Sequence, residues 1–225
     1  MCGRYSITTP LEALRRLFRF DGLPNLAPRY NVAPTQEAPV VRRKAEGEGR
    51  ELAMLRWGLV PNWAKDRKSA AKMINARAET AAEKPAFRSA FVKRRCLVLA
   101  DGFYEWQAVA GAKQPWRVVL ADGAPFAMAG LWEHWRGPDG QVLESFAILT
   151  TNANDRLAAL HARMPAILPA DAIGVWLDQN RPAAEIAALL RPYPSDKMTA
   201  YAVSQRVNAV LNDDAGCIAP LVTSN

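Results

Sequence analysis

Apolar residues in this chain gather mostly in short, closely spaced runs. APVVRR (38–43), LAMLRWGL (52–59), CLVLA (96–100), WRVVL (116–120), FAMAGLW (126–132) and SFAILTT (145–151) are rich in β-branched and aromatic residues and bounded by Gly, Pro or Asp, the pattern of strands. Most of the gaps between them are too short for a crossover helix, so mixed or antiparallel pairing is expected rather than a doubly wound sheet. Helical signals lie toward the two ends. Thr9-Pro10-Leu11-Glu12 reads as a capping box ahead of LRRLF, in a helix ending by Asp21-Gly22. Later, Asn154-Asp155 caps RLAALHAR, Pro169 starts ADAIGVWL and Pro182 starts AAEIAALL. The long basic segment 64–91 mixes loop with short helix. With no repeat and no linker tract, the pattern gives one α+β domain over residues 1–225, a mixed, distorted barrel-like β core carrying peripheral helices.

Composition narrows the setting. Half the residues are hydrophobic and 23% are charged, enough for a packed core, which excludes a disordered chain. No apolar run approaches the roughly 18 residues of a membrane span, and MCGRYSITT lacks the apolar stretch of a signal peptide. The protein is therefore expected to be soluble and cytoplasmic, nucleoid-associated if bacterial, with no membrane partner. Cys2, Cys96 and Cys217 are odd in number and widely spaced, which argues against a disulfide framework. His134 and His161 are the only histidines and no CxxC or HxxxH pair occurs, so neither a metal nor a cofactor is expected.

The net charge of +7 conceals an asymmetry. Residues 1–100 hold 20 Lys and Arg against 9 Asp and Glu, whereas residues 101–225 hold 9 against 13. Most of the cations are arginines, suited to bidentate phosphate contact and to stacking on bases. RRK at 42–44 and KRR at 93–95 can equally be solvated charges flanking strands. Trp57, Trp63 and Trp106 lie among these cations. Since tryptophans are more often core residues, at most one or two of the three are expected to stack on bases.

Candidate chemistry begins at Cys2. Aminopeptidases remove an initiator Met ahead of a small residue, and the exposed cysteine then carries an α-amine and a thiol on adjacent carbons. An α-amine titrates near 7.7 against about 10.4 for lysine, so its nucleophilic fraction at neutral pH is larger by several hundredfold. With an aldehyde the amine forms an imine, onto which the thiol closes as a five-membered thiazolidine. Glu105, between Tyr104 and Trp106 in ADGFYEW, is either a desolvated proton shuttle or an ordinary carboxylate on an alternating strand. His161, near the end of a predicted helix, is a candidate acid or base, though a lone helical histidine is more often structural. Asn75 and Arg77, in INARAET, are an orienting amide and a phosphate ligand, or loop residues.

MCGRY (1–5), RYNVAPTQ (29–36), WGLVPNWAK (57–65), INARAET (74–80), FRSAFVKRRCLVLADGFYEW (87–106), LTTNAN (149–154), HARMPAIL (161–168) and VSQRVN (203–208) stand in this order along most of the chain. Together they resemble the SOS response-associated peptidase family, whose members shield abasic sites in single-stranded DNA. The resemblance implies a DNA-repair protein in which mature Cys2 bonds covalently to the ring-opened abasic sugar. Asn75 then orients the amine and thiol, Glu105 manages protons, and His161 stabilises or protonates the sugar oxygen. Arg4 and Arg77 would bind the flanking phosphates, and Asn31, Pro34, Trp106 and Thr150 would line the groove, joined by Trp63 as a stacking residue. Abasic single-stranded DNA is the expected partner of a monomer, with replication-fork proteins as further candidates. Self-removal of Met1 and reversal of the crosslink belong to the same expectation. The rival readings are a thiol peptidase and a non-covalent binder of single-stranded or modified DNA.

Overall fold

Among the residues described in the computed structural model (2–22, 25–109 and 111–221, the side chains of 69–71 excepted), the apolar runs become strands and the strands close. In chain order the elements are β1 (Tyr5–Ile7), α1 (Leu11–Phe18), β2 (Arg29–Val32), β3 (Glu37–Arg43), β4 (Arg50–Trp57), β5 (Asn75–Arg77), α2 (Ala78–Ala81), α3 (Arg88–Lys93) and β6 (Arg95–Ala100). There follow β7 (Gly102–Val109), β8 (Ala112–Leu120), β9 (Phe126–Arg136), β10 (Val142–Asn152), α4 (Asp155–Ala158), β11 (Arg163–Pro165), β12 (Ile167–Leu168), α5 (Ala172–Leu177), α6 (Ala183–Ala188) and β13 (Met198–Ala202).

Strands β4, β3, β6, β9 and β10 pair in that sequence, and β10 returns to β4 through a parallel pairing at Ser145 and Arg56, closing a mixed five-stranded barrel. A second, antiparallel sheet runs β13-β8-β7-β1-β2. β6 is buried along its whole length because the barrel interior takes one face and α5 the other, where Trp176 Nε1 donates to the Cys96 carbonyl at 2.9 Å. That double burial is why CLVLA reads as an unbroken apolar run. The expected α+β architecture, a mixed barrel-like core with peripheral helices, is the observed one. No helix among the described residues is long and apolar enough to cross a membrane.

The chain passes from the barrel to the second sheet at Asp101-Gly102. The Asp101 carboxylate accepts from Ser6 Oγ at 2.7 Å, from the backbone N–H groups of Thr8 and Thr9, from Thr8 Oγ1 at 2.8 Å and from Arg117 Nη2 at 3.0 Å. A Cβ on Gly102 would come within 2.6 Å of the Arg117 guanidinium, so the corner requires glycine.

Three local expectations are corrected. Thr9 does not cap α1: its hydroxyl is drawn to Asp101 at 3.2 Å, Pro10 occupies the cap position, and Glu12 pairs with Arg15 instead. The capped start at Asn154 holds, its side chain accepting from Leu157 N at 3.1 Å, yet α4 stops at Ala158 because the chain must return to pair β11 with β10. His161 therefore lies beyond the helix, in the turn before β11. Pro169 does not open α5, which begins at Ala172.

Candidate active site

Cys2 precedes β1 in the crevice between barrel and second sheet, fully buried. Its carbonyl accepts from Asn75 Nδ2 at 2.8 Å. Asn75 comes from β5, the short strand laid parallel to β10 from Ile148 to Thr150. The position of Cys2 is thus fixed by a residue distant in sequence. Burial pushes the Cys2 thiol up from its ordinary value, and the Glu105 charge adds to the effect.

Glu105 reaches the same crevice from β7, opposite Trp116 of β8. Its neighbours Tyr104 and Trp106 pack with Val203 and Val207 in a separate apolar cluster, while Trp106 also edges the cavity that Glu105 lines. Burial raises its carboxyl above the usual carboxylate range, and the nearby His161 opposes the rise.

His161 faces Glu105 from the turn before β11. Its Nδ1 accepts the backbone N–H of Arg163 at 2.9 Å, so the neutral ring carries its proton on Nε2. The turn is held by Arg163, whose guanidinium bridges Glu79 at 2.6 and 2.8 Å and also reaches Asn152 Oδ1 at 2.9 Å and the Thr150 carbonyl at 2.5 Å. Its bidentate geometry is the strong form of such a pair.

Arg4 forms one wall. Its Nη1 donates to Asn31 Oδ1 at 2.8 Å and to the Val207 carbonyl at 2.6 Å, and its guanidinium lies 6.0 Å from the Trp106 ring centroid. Trp106 is held in turn by Asn208 Oδ1 at 2.7 Å. Arg4, Glu105, Trp106, Lys113, His161 and Asn208 line an open cavity of about 450 Å³, with Cys2 buried beneath.

The structure thus gathers Cys2, Asn75, Glu105, His161, Arg4 and Trp106. Arg77 is exposed at the end of β5, level with Thr150, and Pro34 is half-buried in the turn between β2 and β3. Trp63 is 63% exposed but stands outside the cavity lining. Trp57 is a core residue, stacked with Phe146 and bonded through Nε1 to the Ile74 carbonyl at 2.9 Å. Asn31 and Thr150 offer no surface to a groove. Both are fully buried, Asn31 bracing Arg4 and the Thr150 hydroxyl bonding the Ala76 carbonyl at 3.4 Å. Reasoning from sequence missed Lys113, Asn208, Arg163 and Glu79. Asn208, Arg163 and Glu79 lay inside recognised motifs, and Lys113 is visible only once the β7–β8 hairpin places it opposite Ala108. No group of three His, Cys, Asp or Glu among the described residues could hold a metal ion.

A closed mixed barrel backed by a second sheet, with a buried thiol at the second position near a carboxyl, an imidazole and an arginine, defines a class of α+β proteins built around a cysteine at position 2. The model of the SOS response associated peptidase (SRAP) family matches residues 1–210, and the chain belongs to that family. The abasic site processing protein YoqW of Bacillus subtilis is 42% identical over 218 residues, covering 95% of this chain and 96% of that protein. The abasic site processing protein HMCES of Gallus gallus is 35% identical over 264 residues, covering 98% of this chain and 78% of that protein. A crystal structure of a protein from Bacteroides thetaiotaomicron superposes with a TM-score of 0.87 at 28% identity, covering 98% of this chain and all of the other.

Proposed function

We propose that this protein acts in DNA repair by capturing abasic sites in single-stranded DNA as a covalent thiazolidine at Cys2. The observation that carries the reading is the convergence of Asn75, Glu105 and His161 on Cys2 beneath a cavity walled by Arg4. Asn75 Oδ1 is buried without a partner among the described residues, an acceptor for an N–H of the α-amine once Met1 is gone. Its Nδ2 keeps the Cys2 carbonyl from turning away.

The chemistry uses these groups in order. An abasic sugar is mostly a closed hemiacetal; Glu105 takes the hemiacetal hydroxyl proton and passes it to the ring oxygen as the C1′–O bond opens, while the Nε2–H of His161 holds that oxygen by a hydrogen bond. The Cys2 amine adds to C1′, and Glu105 relays the two amine protons to the former carbonyl oxygen, so that water leaves and an imine remains. The thiol then adds across the C=N bond, its sulfur to carbon and its proton to nitrogen, closing the thiazolidine with one water lost overall. The raised thiol pKa keeps Cys2 protonated until that step. Arg4 and Arg77 supply cations for the flanking phosphates, with Trp106, Pro34 and Trp63 along the strand and Asn31 and Thr150 acting from behind. The family description names a peptidase. The same groups serve a second activity, hydrolysis of the Met1–Cys2 bond; Met1 itself lies outside the described residues.

Mature protein and an oligonucleotide with one natural abasic site should give a shifted band that survives SDS. Loss of the band in Cys2→Ala, with a weaker imine trappable by borohydride, is the expected result. An undiminished band in Cys2→Ala would overturn the thiazolidine. Mass measurement of Glu105→Gln made without aminopeptidase tests the processing activity, where Met1 should be retained.

A further inference from the structure

The loop that follows Asn208 displays an unusual side chain. Leu211 is 97% exposed, the most exposed large apolar residue among those described, and Val210 beside it is 41% exposed. The loop is nonetheless tied down. Asn31 Nδ2 donates to the carbonyls of Ala209 at 3.1 Å and Asn212 at 2.6 Å, and Arg4 Nη1 donates to Val207. The Asp213 carboxylate accepts from the backbone N–H groups of Tyr30 and Asn31 and pairs with Arg29 at 2.5 Å. Asn212 Nδ2 bonds the Arg206 carbonyl at 2.8 Å. Each anchor turns a polar group inward, and what remains outward is Leu211, which buries almost none of its surface on folding, with the partly covered Val210 beside it.

We propose that Leu211, supported by Val210, is an apolar wedge that packs on the face of the nucleobase next to the abasic sugar and holds it out of the stack. The proposal rests on the reading that the cavity takes an abasic site in single-stranded DNA. Three observations favour a base over a protein surface as the occupant. Arg4 and Asn31 fasten the loop and also build the cavity wall, so the wedge is rigidly referenced to the reacting centre. Asn208, three positions before Leu211, lines the cavity. Arg4, which fastens the chain ahead of the loop at Val207, also puts a guanidinium in the cavity wall, and a nucleotide presents a flat apolar base together with an anionic phosphate. A lesion without a base leaves the neighbouring base with one uncovered face, which an apolar side chain covers. Because the loop is anchored beforehand, little ordering is left to be done on binding.

The test uses single strands carrying 2-aminopurine immediately 5′ or immediately 3′ of a tetrahydrofuran abasic analogue, which cannot react. Saturating wild-type protein should raise the 2-aminopurine fluorescence several-fold in one of the two placements. Leu211→Ala and Leu211→Asp should cut the rise to about half or less, and Leu211→Met should restore it. An equal rise for wild type and Leu211→Asp at saturation would overturn the wedge, as would no rise in either placement with wild type. Loss of binding by a protein partner alone, with the fluorescence unchanged, would overturn it equally. Crosslinking of the wild-type protein to a natural abasic site, scored separately on SDS gels, reports on the underlying reading, so the two failures are distinguishable.

Discussion

Asp101 and Glu105 stand four residues apart on one stretch of chain, both nearly buried, and the protein treats them in opposite ways. Asp101, at the corner between barrel and sheet, is surrounded by donors from Ser6, Thr8, Thr9 and Arg117, and although burial raises its pKa, these donors outweigh it and hold the carboxyl below the usual range. Glu105, facing the crevice, is dominated by burial and lies above it. The difference separates a carboxylate that holds two sheets together from a carboxyl whose pKa is raised, as the proposed proton transfers require. The same contrast distinguishes Arg117, sealed at the corner, from Arg4, which walls an open cavity.

The largest expected effect is on the reacting side. Glu105→Gln keeps the shape and removes the titration, and should slow adduct formation by about 10²–10⁴-fold, the usual worth of a positioned acid or base. Wild-type rates measured against pH should fall as pH drops through the raised Glu105 value, so the acid limb lies above the roughly 4.3 of an ordinary glutamate. The limb should vanish in Glu105→Gln. A limb that survives the substitution would assign the titration to another group.

Asp101→Ala should act on the fold instead. It leaves the Arg117 guanidinium buried without its ion-pair partner and costs about 3–5 kcal/mol, read as a melting temperature lower by about 6–20 °C. Because the folded pKa is depressed, the stabilisation from Asp101 is complete above the unfolded value of about 3.9 and is lost as pH falls through the folded value. Arg117→Ala should cost a similar amount, and the double variant less than the sum of the two.

The sign reverses at Glu105. A raised pKa means that the folded state binds the proton more tightly, so folding is favoured at low pH and penalised as pH rises past the unfolded value. Glu105→Gln should therefore melt higher than wild type at pH 7, and the gain should disappear below about pH 4. Thermal scans at the two pH values, run beside Asp101→Ala, check that the two carboxyls move in opposite directions. A lower melting point for Glu105→Gln at pH 7 would make it a structural residue like Asp101.

This contrast also explains what the sequence could convey. The barrel strands were legible because β3, β4, β6, β9 and β10 are long and apolar, and nothing but burial produces such runs. β1, β2, β5 and β11 were not, since three or four residues carry too little periodicity to separate a strand from a loop, and their pairing is imposed by neighbours far along the chain. Cys2 drew attention by its position, and Glu105 by its aromatic neighbours. Tyr104 and Trp106 pack in a cluster of their own, although Trp106 shares the cavity edge with Glu105, so the local sequence conveys only part of what surrounds this carboxyl. Asp101 carried no signal, because its six donors come from β1, the segment between β1 and α1, and β8, and only the folded chain brings them together.

The smallest expected effect tests whether the reacting side has any supports of its own. Glu79 touches neither Cys2 nor the cavity lining, yet it grips Arg163, whose backbone N–H fixes the His161 ring. Glu79 is 46% exposed on its side chain while Arg163 is only 15% exposed, so the pair is worth about 1 kcal/mol, near the upper end for ion pairs in contact with water. Arg163 keeps Asn152 and the Thr150 carbonyl when Glu79 is gone, so the turn should loosen without opening. Glu79→Gln should then slow adduct formation about fivefold with little change in melting temperature, and Glu79→Asp should recover part of the rate. Solvent shields this clamp far more than it shields Asp101, so raising the salt from 0.05 to about 0.5 M should narrow the gap between wild type and Glu79→Gln while leaving the Asp101→Ala deficit nearly unchanged. A rate equal to wild type at low salt would place all of the positioning of His161 in the backbone of the turn.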